Sequence, residues 1–176
     1  MKDFLKEYLV PGISYQSENP TIANEAYQLL ELFDYKFRYE CYLKVYKETM
    51  RNNPYICYIF ESVKNKQNII VNNLSKENKK VYLKKMAKIT HNQALQVFYW
   101  IFRRLVMEDY EAVVAEIVGA LNNCTLLTLE MSIFVTLHCL VDQKQPHLDF
   151  KTGDQKAWYK NLIIYVSHFY RKYLET

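Results

Sequence analysis

The stretch Asn92–Asn122, NQALQVFYWIFRRLVMEDYEAVVAEIVGALN, decides the fold class of this chain. It reads as two apolar helices, Gln93–Met107 and Asp109–Leu121, which are separated by little more than Glu108. Apolar residues follow the 3.6-residue period of a helix, but they also occupy the opposite side of each helix. A helix that is apolar on all sides is buried among other elements. We therefore expect this helical pair to form the middle layer of an all-helical protein.

The composition of the whole chain also favours helices. Only 3 of the 176 residues are glycine and 4 are proline, so tight turns are rare and long elements with short links are expected. Half of the residues are hydrophobic and 24% are charged, a balance that is typical of a folded chain. The hydrophobic stripes predict about eight helices in sequential hairpins. We expect an all-α fold of stacked antiparallel helix pairs, a HEAT-like α-solenoid segment, with a compact orthogonal bundle as the alternative.

The predicted elements divide the chain into two parts. Residues 1–18 are expected to form a short helix, which ends at Pro11-Gly12, and a loop. Residues 19–176 are expected to form a single helical-repeat domain. Its predicted helices span about 20–33, 35–51, 54–74, 75–89, 93–107, 109–121, 125–141 and 154–174. We further expect a polar break at Thr90-His91-Asn92, where His91 caps a helix, a long loop at Gln143–Gly153, and a cap at Asp154.

The strongest charge feature is the segment Glu61–Lys88. It holds eight lysines against two glutamates, a local net charge of +6, whereas the whole chain carries +4. A concentrated positive surface attracts phosphate groups or acidic protein partners; the alternative is a solvated helix face in a lysine-rich chain. The candidate partner or phosphate contacts are Lys76, Lys79, Lys80, Lys84, Lys85 and Lys88. We see no aromatic platform interleaved with these lysines, so base-specific recognition is not expected.

The sequence offers no pattern that predicts catalysis, a metal site or a cofactor. None of the four histidines has a partner at metal-ligand spacing, and no phosphate-binding glycine motif is present. Glu130 and His138 lie two helical turns apart, where a buried polar pair within the packing is the expected arrangement. Cys57 and Cys124 have no recognisable base near them in sequence. All four cysteines are expected to be reduced and buried, and no signal peptide or membrane span is predicted.

An ordered set of short motifs resembles a known family. The block Phe33–Tyr42, FDYKFRYECY, is similar to the F-x-[YF]-x-x-R-Y-x-x-Y block of THO complex subunit 2. Further similar motifs occur in the family's order, before and after this block. They are Asn19-Pro20, Ala26–Leu30, Lys64-x-Lys66, Leu74–Asn78, Lys88–Asn92, Asp109-Tyr110 and the W…F-R-K-Y-like ending Trp158-Tyr159…Phe169–Tyr173. The resemblance spans Asn19 to Leu174.

This resemblance implies a non-enzymatic scaffold without a cofactor. The family is a long α-solenoid, the central subunit of the nuclear THO complex within the TREX assembly, which couples transcription to mRNA packaging and export. It implies a nuclear location and contacts with other THO/TREX subunits and a DEAD-box RNA helicase. The family's nucleic-acid binding is not carried over, since its basic C-terminal tail has no counterpart here, and RNA, directly or indirectly, is a further candidate partner. From the residues alone, a small RNA-binding helical domain that uses the basic hairpin Lys64–Lys88 is the alternative. A helical enzyme that uses Glu130, His138 or a cysteine lacks every expected spacing.

Overall fold

A computed structural model of the chain describes residues 1–15, 20–72, 79–104, 111–141 and 146–173, without the side chains of 70–72, 79, 80, 82, 104 and 111–113. Eight helices and no sheet fall within these ranges. The helices are α1 (2–13), α2 (Pro20–Leu30), α3 (35–52), α4 (Pro54–Asn72), α5 (Lys79–Arg104), α6 (Glu111–Ala120, followed by the 3₁₀ turn Leu121–Asn123), α7 (Leu126–Leu140) and α8 (Ala157–Tyr173). The all-α prediction is confirmed, and the structure is consistent with a solenoid-like segment.

Three helices begin at residues whose side chains cap them. The side chains of Asp34, Asn53 and Thr125 each accept a hydrogen bond from the backbone N–H three residues further on, at 3.0, 3.2 and 3.3 Å. These bonds satisfy N–H groups that have no partner inside the helix. The predicted start at Asn53-Pro54 is therefore confirmed, whereas the cap expected at Asn19 lies outside the described residues.

Two predicted helix ends are wrong. The first helix does not stop at Pro11-Gly12 but continues to Ile13, because a π-helical turn at Leu5–Leu9 precedes the proline and the segment is buried. The wider π turn shifts the backbone hydrogen-bond register just before Pro11, which has no N–H group to donate. The last helix begins at Ala157 rather than after Asp154. Residues 154–156 instead form backbone hydrogen bonds with residues 147–149, and Leu148 pairs with Gln155 in an antiparallel bridge. Because this pairing holds residues 154–156 in an extended conformation, the helix starts after them.

The predicted polar break at Thr90-His91-Asn92 lies inside the continuous helix α5. Only Gln93 departs from helical geometry, with φ −123° and ψ 29°. The polar side chains here are buried rather than exposed. Thr90 Oγ1 donates to the Met86 carbonyl at 2.6 Å, and Gln93 Nε2 donates to the Ser14 carbonyl at 2.7 Å. Tertiary and intrahelical hydrogen bonds thus replace the solvent contacts expected of a loop, and His91 does not act as a cap.

Helix α5 is the centre of the described packing. It contacts α2, α4, α6, α7 and α8. Its second half is largely buried, as predicted from the sequence: the side chains of Leu95, Val97, Phe98 and Ile101 are each 5% exposed or less, although Gln96 is half-buried and Arg103 is exposed. Helix α6 packs against α8 as well as α5. The expected junction at Glu108 lies outside the described residues.

A buried carboxylate joins helices α2, α3 and α7. Glu130 Oε1 accepts hydrogen bonds from Arg38 Nε at 2.7 Å and from the Tyr42 hydroxyl at 2.9 Å, and its Oε2 accepts one from the Tyr27 hydroxyl at 3.0 Å. Arg38 also donates to the Phe33 carbonyl at 2.6 Å. Both carboxylate oxygens therefore have donors, and the buried charge has a counter-ion. We call these four side chains, Tyr27, Arg38, Tyr42 and Glu130, the Glu130 cluster.

The expected Glu130–His138 pair is not what the structure shows. Eight residues along a helix correspond to about 12 Å, so the two side chains enter different parts of the core. His138 packs edge-on against the Tyr46 and Tyr99 rings, with centroids 5.3 and 5.7 Å away. Both residues are polar groups within the packing, but their contacts are separate.

Burial and the Glu130 charge shift the ionisation of the cluster. Burial, with the Glu130 charge, raises the pKa of Tyr27 to about 12 and raises the pKa of Tyr42 well above its usual range. Burial lowers the pKa of Arg38, but its hydrogen bond and charge attraction to Glu130 outweigh this effect and leave that pKa raised. The tyrosines are therefore held as neutral donors and the arginine as a cation.

Replacing Glu130 by alanine should lower the free energy of unfolding by about 3 kcal/mol, because the half-buried Arg38 charge would lose its counter-ion and the Tyr27 and Tyr42 hydroxyls would lose their acceptor. Urea titration followed by circular dichroism measures this loss. Glu61→Ala is the control, since it removes an exposed ion pair with Lys64 and should cost less than about 1 kcal/mol. An equally small loss for both variants would contradict the structural role assigned to Glu130.

Alkaline pH should destabilise the protein through the same cluster. The unfolded chain releases tyrosine protons near pH 10, whereas folded Tyr27 keeps its proton to about 12. Between these values the native state binds more protons, so the free energy of unfolding falls as pH rises. The double variant Tyr27→Phe, Tyr42→Phe should show a shallower fall in urea titrations at pH 9, 10 and 11. The exposed Tyr170→Phe should follow the unaltered protein; identical slopes for all three proteins would refute this assignment.

Candidate functional site

The candidate functional surface lies on helices α4 and α5, which pack against each other. They run antiparallel, because Phe60 lines the same cavity as Trp100, whereas Lys66, further along α4, lines another with Ile89. The described lysine side chains of this pair are exposed. They are Lys64, Lys66, Lys84, Lys85 and Lys88, and together they form what we call the lysine surface.

The structure describes the side chains of three of the six lysines that were predicted to contact a partner or phosphate. Lys84, Lys85 and Lys88 project from α5 into solvent. They alternate at helical spacing with Met86 and Ile89, which are 4% and 5% exposed, so this half of α5 is amphipathic. Lys79 and Lys80 lie in α5, but their side chains are outside the description, and Lys76 lies outside the described residues altogether. Binding by any of these lysines stays a prediction.

Electrostatics at the lysine surface favour an anionic partner. Lys64 has an intrahelical counter-ion, since its Nζ lies 3.2 Å from Glu61 Oε2. Lys84 and Lys88 are four residues apart on one exposed face, where like charges repel each other by a few tenths of a kcal/mol. An acidic protein surface or a phosphate would relieve this repulsion. The surface is thus suited to binding anions, and its energetic cost to the folded chain is small.

Two of the cysteines, Cys41 and Cys124, are not activated as nucleophiles. Burial raises the pKa of Cys124 to about 12 and the pKa of Cys41 to about 11. Thiols with such values stay protonated at neutral pH, and the thiolate is the reactive form. All four cysteines are reduced, as expected, but only Cys41 is fully buried; the others are half-buried.

The described residues form neither a metal-ligand group nor a membrane-spanning helix. No group of three histidine, cysteine, aspartate or glutamate side chains in this part of the chain could hold a metal ion. Among the described helices, none combines the length and apolar character that crossing a membrane requires.

Sequence reasoning missed an aromatic groove beside the lysine surface. Tyr15, Tyr55 and Tyr58, together with Lys66 and the buried Gln93, line an open groove of about 650 Å³ between α1, α4 and α5. We call it the tyrosine groove. Of the lysine surface, only Lys66 is among the described residues that line this groove. The helical spacing of Tyr55, Tyr58 and Lys66 places them on one face of α4, and this pattern could have indicated part of the groove. The contact with Tyr15 is tertiary, and no sequence pattern predicts it.

Comparison with known proteins agrees with the motifs. Residues 1–87 match the family model of the THO complex subunit 2 N-terminus. Over 167 residues, 95% of the chain, it is 20% identical to THO complex subunit 2 of Homo sapiens and of Mus musculus. Over 173 residues, 98% of the chain, it is 24% identical to THO complex subunit 2 of Arabidopsis thaliana. The chain spans about a tenth of the length of these relatives, 10% of the human and 9% of the Arabidopsis protein. Over nearly its whole length, the chain therefore resembles THO complex subunit 2.

Proposed function

We propose that this chain is a non-enzymatic scaffold segment of a THO/TREX-like nuclear complex that couples transcription to mRNA packaging and export. The observation that carries the proposal is the similarity to THO complex subunit 2 along 95% or more of the chain. The name of these relatives describes a subunit of a complex. A helical chain that works in such an assembly acts through contacts with other proteins, here other THO/TREX subunits and a DEAD-box RNA helicase.

The Glu130 cluster supports a structural role for the block that carries the resemblance. Arg38 and Tyr42 belong to the FDYKFRYECY block, and both donate to the Glu130 carboxylate. Their polar groups are therefore used inside the protein to hold helices together. This use fits a scaffold better than an enzyme, in which polar side chains of this kind would converge on a substrate cavity.

We place the partner contact on the lysine surface. Lys84, Lys85 and Lys88 are exposed on one helix, and the segment Glu61–Lys88 carries a net charge of +6. Complementary charge speeds association and selects partners more than it adds affinity. An acidic surface of another subunit or of the helicase is the expected counterpart.

A second candidate function is direct RNA binding through the same lysines. Exposure of Lys84, Lys85 and Lys88 also suits contacts to phosphates. The two functions differ in their salt dependence. For single-stranded RNA, the logarithm of the affinity falls with the logarithm of salt concentration with a slope of about −0.7 per phosphate contact. Three contacts would therefore give a slope of about −2.

The triple variant Lys84→Glu, Lys85→Glu, Lys88→Glu should reduce capture of THO subunits or of a DEAD-box helicase from nuclear extract. The reason is charge reversal on the proposed contact surface. The matched control reverses Lys47, Lys151 and Lys160, which are exposed elsewhere, and should capture these proteins normally. Partner amounts are measured by quantitative mass spectrometry, and urea titration checks that both variants remain folded.

Two results would count against the proposals. If the unaltered chain captures no THO subunit and no helicase, the scaffold role is wrong. If fluorescence anisotropy with a 20-nucleotide single-stranded RNA shows no binding at 20 mM salt, direct RNA binding is excluded. Equal loss of partners in the triple variant and its matched control would place the protein contact elsewhere than the lysine surface.

A further inference from the structure

A separate groove lies where the end of α3 meets α4 and the second half of α5. Its volume is about 350 Å³, and its walls include the side chains of Arg51, Lys64 and Arg103. We call it the arginine groove. We propose that it binds a phosphorylated serine or threonine side chain of a partner protein, whose phosphate contacts Arg51 and Arg103. This binding goes beyond the proposed scaffold role and does not depend on it.

The two arginines of the groove have hydrogen-bond donors available for an anion. Both side chains are exposed, and neither has a carboxylate partner within the part of the chain that the structure describes. Lys64, by contrast, is already paired with Glu61. A guanidinium group presents five N–H donors in a planar fork that matches the oxygens of a phosphate. The donors that a ligand could use are therefore those of Arg51 and Arg103.

Stacked rings hold the arginine side of the groove in place. The guanidinium carbon of Arg51 lies 6.0 Å from the centroid of the Tyr46 ring. Tyr46 stacks in turn on Tyr99, with centroids 3.8 Å apart and planes 14° from parallel, and Tyr99 is 6% exposed. Arg103 follows Tyr99 by one helical turn on the same face of α5. A restrained donor loses less conformational entropy when a ligand binds, so this arrangement favours binding.

The net charge of the groove matches a phosphate monoester. Its three cations face Glu61, the one carboxylate among the described residues that line it, so the groove carries +2. A phosphorylated serine or threonine carries a charge of about −1.5 to −2 at pH 7. A carboxylate, or one phosphate of an RNA strand, carries a single negative charge and would leave one arginine unpaired. The charge therefore favours a phosphorylated side chain.

The rings of the groove offer little surface to a nucleic-acid base. Phe60, Tyr99 and Trp100 are 7%, 6% and 9% exposed, and Tyr99 covers one face of Tyr46. Stacking of successive bases requires free ring faces. A phosphorylated serine or threonine has no ring and needs only the cations at the wall. The groove is therefore better suited to such a side chain than to single-stranded RNA.

Two matched peptide libraries, applied to the whole chain, test this inference. Each peptide has 11 residues, with phosphoserine at the central position of one library, serine in the other, and random residues elsewhere. We expect the chain to capture peptides from the phosphoserine library in preference. The most enriched phosphopeptide, labelled with fluorescein, should bind at least tenfold more tightly than its serine form, measured by anisotropy.

Substitutions locate the phosphopeptide in the groove. Arg51→Gln and Arg103→Gln should each weaken binding at least tenfold, whereas the control Arg171→Gln, at an exposed position of α8, should leave it unchanged. Arg51→Lys should weaken binding less than Arg51→Gln, because lysine keeps the charge but not the planar fork. Glu61→Gln should instead tighten binding, because it removes a carboxylate that repels the phosphate. A variant that merely disturbs the fold would not bind more tightly.

Three outcomes would overturn the inference. Equal affinity for the phosphoserine and serine forms shows that the phosphate is not recognised. Affinity that is unchanged in both Arg51→Gln and Arg103→Gln shows that the phosphopeptide binds elsewhere. A 12-nucleotide uridine RNA that binds more tightly than the phosphopeptide, and loses affinity in the same two variants, would make the groove an RNA site. The substituted side chains are exposed, and circular dichroism confirms that the variants are folded.

Discussion

The ion pair between Arg38 and Glu130 is the constraint around which the described helices are arranged. Its partners are 92 positions apart in sequence, and the carboxylate also receives two tyrosine hydroxyls. An unpaired charge in this position would be strongly unfavourable, so α2, α3 and α7 have to meet in the one register that completes the cluster. Helices α2 and α7 also contact α5, and the cluster thereby fixes the surroundings of the central helix.

Charges inside and outside the protein have opposite roles. Inside, Glu130 and Arg38 neutralise each other, and their hydrogen bonds leave little capacity for a substrate. Outside, Lys84, Lys85 and Lys88 concentrate positive charge on one exposed face. The buried charge of the Glu130 cluster is thus compensated within the protein, whereas these lysine charges face solvent.

The periodicity of apolar residues predicts the helices well, because burial follows the helical repeat whatever lies on the other side. Predictions from periodicity are wrong where tertiary contacts determine whether a polar segment is helical or a loop. Thr90 looks like a loop residue in sequence, but its hydroxyl donates to the Met86 carbonyl inside the core. The lysine surface could be predicted because charge density is local in sequence. The tyrosine groove could not, because Tyr15 reaches Tyr55 across 40 residues that sequence patterns do not relate in space.

Helix α5 connects these features through its bend. Before the bend, it alternates exposed lysines with buried apolar residues; after it, most of the side chains are buried. A straight 26-residue helix would keep one face toward solvent along its whole length, whereas the non-helical Gln93 redirects the second half into the core. The same residue holds the end of α1, because its Nε2 donates to the Ser14 carbonyl. The polar segment that resembles a loop in sequence therefore joins the amphipathic half of the helix to its buried half.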